Sequence, residues 1–448
     1  MIVFDNGDLE ILRKYLERDI KSKISIDYDI YLKVKNILFE SKEDVSSWDR
    51  LNKVCFNNGP MNKTQLTSML GLKLFDALNE KQLLIIHYFY ECNNESHEGY
   101  LLDLKCEYCN ESISKHTSLV YRYSLRNEVV NTIGEINQLF LNLFVDGSSQ
   151  TILDEIKGMR TQVVPFIGSG ISIPFGIPSW AGLLYKLKNK LPKPTDEKFV
   201  QVRSQFEIYY NNGDVFGMLD ILKNHAPTLG DSNNYPDIFK SIINDNTASH
   251  KNLFQIDNNV KDILHFGAKL IITTNYDTIL EKFSNEFNYG YENSISWSNM
   301  IGVPNLIKEK TIFHLHGSVT FPNDMIVTQD SYDKLYESDH RIDVMQSLMG
   351  DKYLLFLGFS LTDKYVVNEL ERIDKANNNY SKFYIVTADD LSSNDIPEEI
   401  LRRIYIIKLI DRNIVKKSEL WRLGIHLIFM YLTDNIFLLN NDEEDFCW

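Results

Sequence analysis

The chain has 448 residues, more than a single hydrophobic core usually organises, so two or three domains are expected. Its composition, 44% hydrophobic and 24% charged, excludes a disordered chain. The formal net charge is -15, and both the first 150 residues and the remainder are acidic, so neither half is expected to bind nucleic acid.

The cysteines and the apolar runs favour a cytoplasmic protein. Five cysteines, unevenly spread, do not form a disulfide framework. The first 16 residues carry acidic side chains before any apolar run, which is unlike a signal peptide. No window approaches 18 uninterrupted apolar residues, so no membrane partner is expected.

The N-terminal region reads as a small α+β domain. Residues 7–20 and 27–41 have the periodicity of amphipathic helices. Residues 62–92 predict a helix, a turn at Gly71, a second helix and a strand that pairs with residues 100–106 as a hairpin. This order is either that of a winged helix or that of an ordinary small α/β packing module.

A DNA-reading regulator is disfavoured by the charges of the second of these helices. That helix carries Lys73 and Lys81 against Asp76 and Glu80. A domain that binds phosphate backbones needs clustered positive charge. We therefore assign residues 1–150 to a sensing or assembly module, with the linker at residues 146–150.

The spacing of two cysteines in this module resembles that of metal ligands. Cys106 and Cys109 form a Cys-x-x-Cys pair, and Cys92, His97 and His116 lie nearby. A zinc site needs four ligands, and the second pair is irregular here. The sequence leaves two readings open, a bound zinc ion and a metal-free hairpin.

Residues 151–448 predict an α/β domain with a doubly wound, mostly parallel sheet of the Rossmann type. Short apolar runs that resemble fully buried strands alternate with helical segments; the runs lie at 161–168, 268–277, 310–317, 352–360, 382–388 and 403–410. Four of them end in polar motifs: Gly-Ser-Gly, Thr-Asn-Tyr-Asp, His-Gly-Ser and Gly-Phe-Ser. Ligands of open α/β sheets bind at the carboxyl ends of the strands, so these motifs point to one crevice.

The first motif is the stretch from Gly168 to Gly170. Glycines after a strand let the backbone approach a ligand, and exposed N–H groups suit a diphosphate. Gly176 comes six residues after Gly170, so the Gly-x-Gly-x-x-Gly spacing of dehydrogenases is not met. The intervening residues predict a loop over the ligand, and Ser179 predicts the N-cap of the next helix.

Together these motifs resemble the signature of the sirtuin (SIR2) family, in the family's order and across roughly residues 155–430. The resemblance rests on Gly168 to Ser172 with Gly176 to Pro178, on Thr274 to Asp277, on His314 to Ser318 and on Gly358 to Leu361. The chain is similar in particular to the bacterial SIR2-like branch found in antiphage defence proteins. A Pro-Ser-Trp ending of the first motif, here residues 178–180, is usual in that branch.

The resemblance implies a role for each motif. Asn275, beside the nicotinamide ribose, and His316, the general base toward the ribose hydroxyls, are the implied catalytic residues. The implied NAD-binding residues are Gly168, Ser169, Gly170, Ser172, Asp277, Gly317, Ser318, Gly358 and Ser360. Breaking the bond between C1′ and nicotinamide creates an oxocarbenium-like centre, which suits a fixed ribose and a base with a pKa near neutral.

Two of these positions have competing interpretations. His314 and His316 alternate along one strand, so only one can face the crevice, and we assign His314 a structural role. Asp277 either seats the nicotinamide amide or caps the helix that follows.

The departures from the family narrow the implied activity. Protein-deacylating sirtuins carry two cysteine pairs for zinc after the His-Gly motif, but the 41 residues between His316 and Gly358 contain no cysteine. No zinc is therefore expected in the SIR2-like domain. The family's Pro-Asp-Phe-Arg is replaced by residues 178–181, Pro-Ser-Trp-Ala. Without an acyl-lysine site, water is the natural acceptor, which implies NAD+ hydrolysis to nicotinamide and ADP-ribose.

The implied biological role is that of a gated effector. An ungated NAD+ hydrolase would be toxic, so we expect control by homo-oligomerisation or by an activating defence protein acting through residues 1–150. The alternatives are a non-catalytic sensor of NAD or ADP-ribose and, with less support, a protein deacylase.

Overall fold

The structure is a computed structural model of the 448-residue chain. It describes residues 4, 6–19, 28–40, 46–57, 59–92, 97–101, 105–116, 119–229, 234–249, 252–299, 310–349, 352–358, 370, 371, 374, 382–388 and 398–439.

The chain forms two compact units. The first comprises Met1–Phe144 together with Arg412–Trp448, and the second comprises Val145–Asp411. The sequence analysis assigns all residues after 150 to the second domain, whereas the last part of the chain groups with the first unit.

Helices and a small sheet make up the first unit. Its elements are α1 (Asn6–Asp19), α2 (Tyr28–Glu40), α3 (Ser46–Cys55), β1 (Met61–Asn62), α4 (Lys63–Leu70), α5 (Leu72–Glu80), β2 (Leu84–Cys92), β3 (His97–Tyr100), β4 (Leu119–Leu125), α6 (Asn127–Phe144) and, near the C-terminus, α17 (Lys417–Leu432).

The sheet of this unit is antiparallel, in the order β1-β4-β2-β3. The predicted turn at Gly71 separates α4 from α5, with a φ of 81° that favours glycine. The hairpin differs from the prediction, which paired β2 with residues 100–106. Instead, β2 pairs with β3, where Cys92 lies opposite His97, and β2 also pairs with β4 from Leu84 to Tyr90. The element order is α3-β1-α4-α5-β2-β3-β4, and the winged-helix interpretation stays a prediction.

Helix α17 belongs to the core of this unit. It packs on α6, and most of its residues from Leu420 to Leu432 are buried. Asn137 of α6 donates a hydrogen bond to the carbonyl of Phe437 at 2.6 Å. Arg422 of α17 forms an ion pair with Asp8 of α1. These contacts join residues some 300 to 400 positions apart in the chain.

The second unit alternates strands with helices. Its elements are α7 (Gln150–Gly158), β5 (Val163–Ile167), α8 (Trp180–Lys186), α9 (Glu197–Asn211), α10 (Val215–His225), α11 (Tyr235–Ser249), α12 (Val260–Phe266), β6 (Leu270–Thr273), α13 (Ile279–Phe287), β7 (Asn293–Ile295), β8 (Thr311–His314), α14 (Gln329–Glu337), α15 (Asp339–Met349), β9 (Tyr353–Leu357), β10 (Phe383–Thr387), α16 (Glu398–Leu401) and β11 (Ile404–Lys408).

The seven strands β5 to β11 form one parallel sheet in the order β11-β10-β9-β5-β6-β8-β7. The predicted α/β fold with a parallel sheet is confirmed, and all six predicted strands are present. Strands β5, β6, β8 and β10 are buried along their whole length, as expected for strands with helices on both faces. The sequence analysis missed β7, a three-residue edge strand without an apolar run.

The core of the second unit lies around this sheet. It includes Phe166, Ile272, Phe313, Phe356 and Ile385, each 2% exposed or less. The predicted linker at residues 146–150 is held against β11, because Asp146 N–H donates to the Lys408 carbonyl and Lys408 N–H donates to Ser149 Oγ. Among the described residues, no helix combines the length and apolar character needed to cross a membrane.

Candidate active site

The first and fourth motifs meet where β5 and β9 end. Gly168 N–H donates to the Leu357 carbonyl at 3.0 Å, and Gly170 N–H donates to the Gly358 carbonyl at 2.8 Å. A Cβ on Gly170 would come within 2.7 Å of Gly358 Cα. Gly170 and Gly358 thus allow two backbones to touch, and the ligand approach expected from the sequence stays a prediction. Ser169 keeps an N–H and a hydroxyl for which the described part of the chain shows no partner.

The loop after Gly170 is anchored to the core. Phe175 is fully buried and packs edge-to-face on Phe283 of α13. Gly176 follows with a φ of 73°, which favours glycine. Ser179 Oγ accepts a hydrogen bond from Gly182 N–H, so the predicted N-cap of α8 is confirmed.

Asn275 links the first and second motifs. Its side-chain Nδ2 donates to the Gly168 carbonyl and to Ser172 Oγ, each at 3.0 Å. Because a backbone carbonyl only accepts, the amide nitrogen must face Gly168. Both amide N–H groups are thereby used, and Oδ1 remains as the acceptor that Asn275 can offer to a hydroxyl or a water.

Ser172 and Asp277 extend this network. Ser172 Oγ donates to Asp277 Oδ2 at 2.7 Å, and Ile279 N–H donates to Asp277 Oδ1 at 3.1 Å. Both carboxylate oxygens therefore accept hydrogen bonds within the protein, one of them at the start of α13. Burial raises the pKa of Asp277 above its ordinary value.

The second and third motifs run side by side. Leu315 N–H donates to the Thr273 carbonyl at 2.9 Å, and Val319 N–H donates to the Tyr276 carbonyl at 2.8 Å. His316 therefore lies on a segment that is fixed to the Asn275 segment at both ends.

Gly317 and Ser318 hold the turn that follows His316. Gly317 has a φ of 75°, and a Cβ there would lie 2.5 Å from the backbone carbonyl of Asp324. Ser318 is fully buried, and its Oγ lies 2.7 Å from Thr320 Oγ1. These contacts fix the course of the chain next to His316.

His314 is held between two acceptors. Its Nδ1 lies 3.0 Å from the Asn275 carbonyl, and its Nε2 lies 2.6 Å from Glu281 Oε1. Burial alone would lower the pKa of His314, but the Glu281 carboxylate raises it above its ordinary value. Burial likewise opposes ionisation of Glu281, yet His314 and a hydrogen bond from Ser294 hold its pKa below its ordinary value. The pair is a buried ion pair that supports the main chain at Asn275.

The four motifs thus join in the order of their strands, β9-β5-β6-β8, at one edge of the sheet. Residues 269–410 match the family model described as a SIR2-like domain. Residues 269–410 therefore form a SIR2-like domain. The match contains the second, third and fourth motifs, and β5, which leads into the first motif, lies between β6 and β9 in the same sheet.

Two curated relatives of this chain share the name NAD(+) hydrolase ThsA. The protein from Bacillus cereus (strain MSX-D12) is 24% identical over 242 residues, which cover 53% of this chain and 44% of the relative. The protein from Cytobacillus dafuensis is 22% identical over 245 residues, which cover 52% of this chain and 43% of the relative. The match thus spans less than half the length of these relatives.

His316 lies inside the SIR2-like domain with 3% of its surface exposed. Its Nδ1 is 3.4 Å from the Tyr332 hydroxyl, and the two rings meet edge-to-face at 5.0 Å. Burial lowers the pKa of His316 to about 3, whereas the sequence analysis expects a base near neutrality. The imidazole is neutral at pH 7 and so carries a lone pair that can accept a proton.

Most of the predicted site residues come together at this edge of the sheet. Ser360 lies outside the described residues. Sequence reasoning missed Glu281 and Tyr332. Glu281 follows Asp277 by four residues, and this spacing could have indicated a second acid beside the motif, whereas nothing in the sequence connects Tyr332 with His316.

Proposed function

We propose that the SIR2-like domain hydrolyses NAD+ to nicotinamide and ADP-ribose. The observation that carries the proposal is the hydrogen-bonded convergence of the first, second and third motifs, which fixes Asn275 between Gly168 and Ser172 and ties the His316 segment alongside. The name of the two ThsA relatives and the SIR2-like match support the same substrate.

The proposed chemistry assigns one role to each catalytic side chain. Asn275 Oδ1 orients the ribose or the attacking water without adding a charge. The bond between C1′ and the nicotinamide nitrogen breaks, nicotinamide leaves with the electron pair, and the water oxygen bonds to C1′. Neutral His316 accepts a proton through the ribose hydroxyls, and one proton is released per turnover.

Water is the proposed acceptor because the stretch between His316 and Gly358 contains none of the cysteines that build the zinc module of protein deacylases. A deacylase would need an acyl-peptide groove, and that module forms much of it.

We further propose that the hydrolase is gated and acts in the cytoplasm as an antiphage effector that depletes NAD+. The burial of His316 and the use of both amide N–H groups of Asn275 support a resting enzyme that opens on activation. Residues 1–150 would receive the signal, through homo-oligomerisation or an activating defence protein.

A second candidate is a sensor that binds NAD+ or ADP-ribose without turnover. The lowered pKa of His316 favours it, because a base with a pKa of about 3 is weak. It differs from the hydrolase in one measurable respect, since it binds NAD+ and releases no nicotinamide.

The test is product analysis on the purified full chain with NAD+, alone and with lysate from phage-infected cells. Nicotinamide and ADP-ribose are expected in equal amounts, and dependence on the lysate would demonstrate gating. NAD+ binding without products in either condition would support the sensor, and release of nicotinamide only with an acylated peptide would support a deacylase.

A further inference from the structure

Three cysteines and a histidine converge in the first unit, outside the candidate active site. The ligand atoms of Cys92, Cys106, Cys109 and His116 all lie within 4.8 Å of one another. Tetrahedral zinc with sulfur at about 2.3 Å requires sulfur atoms about 3.8 Å apart. Cys109 Sγ and His116 Nε2 are already 3.3 Å apart. The four side chains therefore need only small shifts to surround one ion.

Cys106 and Cys109 lie on one tight turn of the backbone. Asn110 N–H donates to the Cys106 carbonyl at 3.0 Å, and Cys106 N–H donates to the Glu111 carbonyl at 2.7 Å. Asn110 has a φ of 57°, the left-handed conformation that lets the chain fold back sharply. The two sulfur atoms of this tight turn lie within 4.8 Å of each other.

Three hydrogen-bond donors surround the Cys106 sulfur. The Tyr90 hydroxyl and the backbone N–H groups of Cys109 and Tyr108 donate hydrogen bonds toward its sulfur. Thiolate is the form of cysteine that binds metals. The same donors would stabilise the sulfur charge of a metal complex.

Tyr90 packs the cluster from one side. Its ring stacks on His116 with the centroids 5.7 Å apart, and its hydroxyl accepts a hydrogen bond from Glu107 N–H at 2.8 Å. A Cβ on Gly99 would come within 2.5 Å of that hydroxyl, so the glycine makes room for the ring. Cys92 and Cys106 are 2% exposed or less, which keeps water from the sulfur atoms.

We propose that Cys92, Cys106, Cys109 and His116 bind one Zn²⁺ ion as a closed structural site. Four protein ligands leave no open position for water, so the ion has no catalytic role there. It cross-links the end of β2 to the chain that leads into β4. On binding, each thiol releases its proton and ligates the ion as a thiolate, and oxidation is not involved. The proposal is independent of NAD+ hydrolysis.

The first experiment measures metal content in the full chain after chelator-free purification under reducing conditions. About one zinc per chain is expected for the wild type. The Cys55→Ser variant is the matched control, since Cys55 is a buried cysteine of the same unit outside the cluster, and it should keep its zinc. Cys106→Ser should lose most of it. Zinc retained in full by Cys106→Ser would overturn the proposal.

Two further measurements decide the outcome if Cys106→Ser does not fold. His116→Cys preserves four ligands and should retain zinc, whereas His116→Ala should bind it more weakly. Cobalt exchanged into the wild type should show thiolate charge-transfer absorption and the visible spectrum of a tetrahedral site. A wild type that takes up neither zinc nor cobalt, or whose cysteines prove to be paired as a disulfide, would overturn the proposal.

Discussion

Gly170 and Gly358 touch backbone to backbone, with Gly170 N–H donating to the Gly358 carbonyl at 2.8 Å. The contact joins the first and fourth motifs across the ends of β5 and β9. It leaves no room for a side chain on either residue, since a Cβ on Gly358 would lie 2.6 Å from Ile171 N. The glycines of both motifs therefore have a packing role in addition to any role in binding a ligand.

We expect Gly170→Ala to destabilise the second unit by about 1–3 kcal/mol, because the added methyl must displace the Gly358 backbone. Denaturant unfolding measures this loss. Gly158→Ala, at the end of α7, is the control: its Cβ meets nothing within 4 Å, so stability should be unchanged or slightly higher. Equal stability of the two variants would contradict the packing role.

Replacing Glu281 by Gln should lower stability in a defined pH range. The contribution of Glu281 to the free energy of unfolding is present above its ordinary pKa of 4.5, and it is lost as the pH falls through the lowered pKa of the folded state. The contribution of His314 to the free energy of unfolding is present below its ordinary pKa of 6.5, and it is lost as the pH rises through the raised pKa of the folded state. The difference in unfolding free energy between wild type and Glu281→Gln should therefore be largest between pH 4.5 and pH 6.5. We expect about 1–3 kcal/mol, because the Gln amide can still donate a hydrogen bond to His314.

Unfolding free energies measured across this pH range check the Glu281 prediction. Asp330→Asn is the control, because Asp330 pairs with Lys334 on the surface and both side chains are more than 70% exposed. An exposed pair of this kind contributes little. A pH-independent effect of Glu281→Gln would count against the buried ion pair.

Ser172→Ala should disturb Asn275 and Asp277 together. It removes the acceptor of one Asn275 N–H and the donor to Asp277 Oδ2, at an expected cost of about 1–3 kcal/mol. If Asn275 is catalytic, kcat for NAD+ should fall more than KM rises. Ser204→Ala on the exposed face of α9 should change neither stability nor kinetics. Unchanged kcat in Ser172→Ala would show that this network does not position Asn275.

The sequence predicted the sheet and the convergence of its strand ends, because buried parallel strands appear as continuous apolar runs that end in polar motifs. It did not predict β7, whose three residues carry no apolar run, or the grouping of α17 with the first unit. That grouping depends on contacts such as Arg422 with Asp8, which no local pattern encodes. The partners of His314 and His316, Glu281 and Tyr332, likewise come from other elements of the fold.

The most direct test of the account compares NAD+ hydrolysis by wild type and His316→Gln, under the condition in which the wild type is active. NAD+ binding is measured on the same preparations, and His225→Gln at the end of α10 serves as the control. Loss of general-base catalysis should lower hydrolysis about 100- to 10,000-fold. Binding should stay within a few fold, and the control should keep full activity. Turnover by His316→Gln as fast as wild type, or no turnover by the wild type in any condition, would contradict the account.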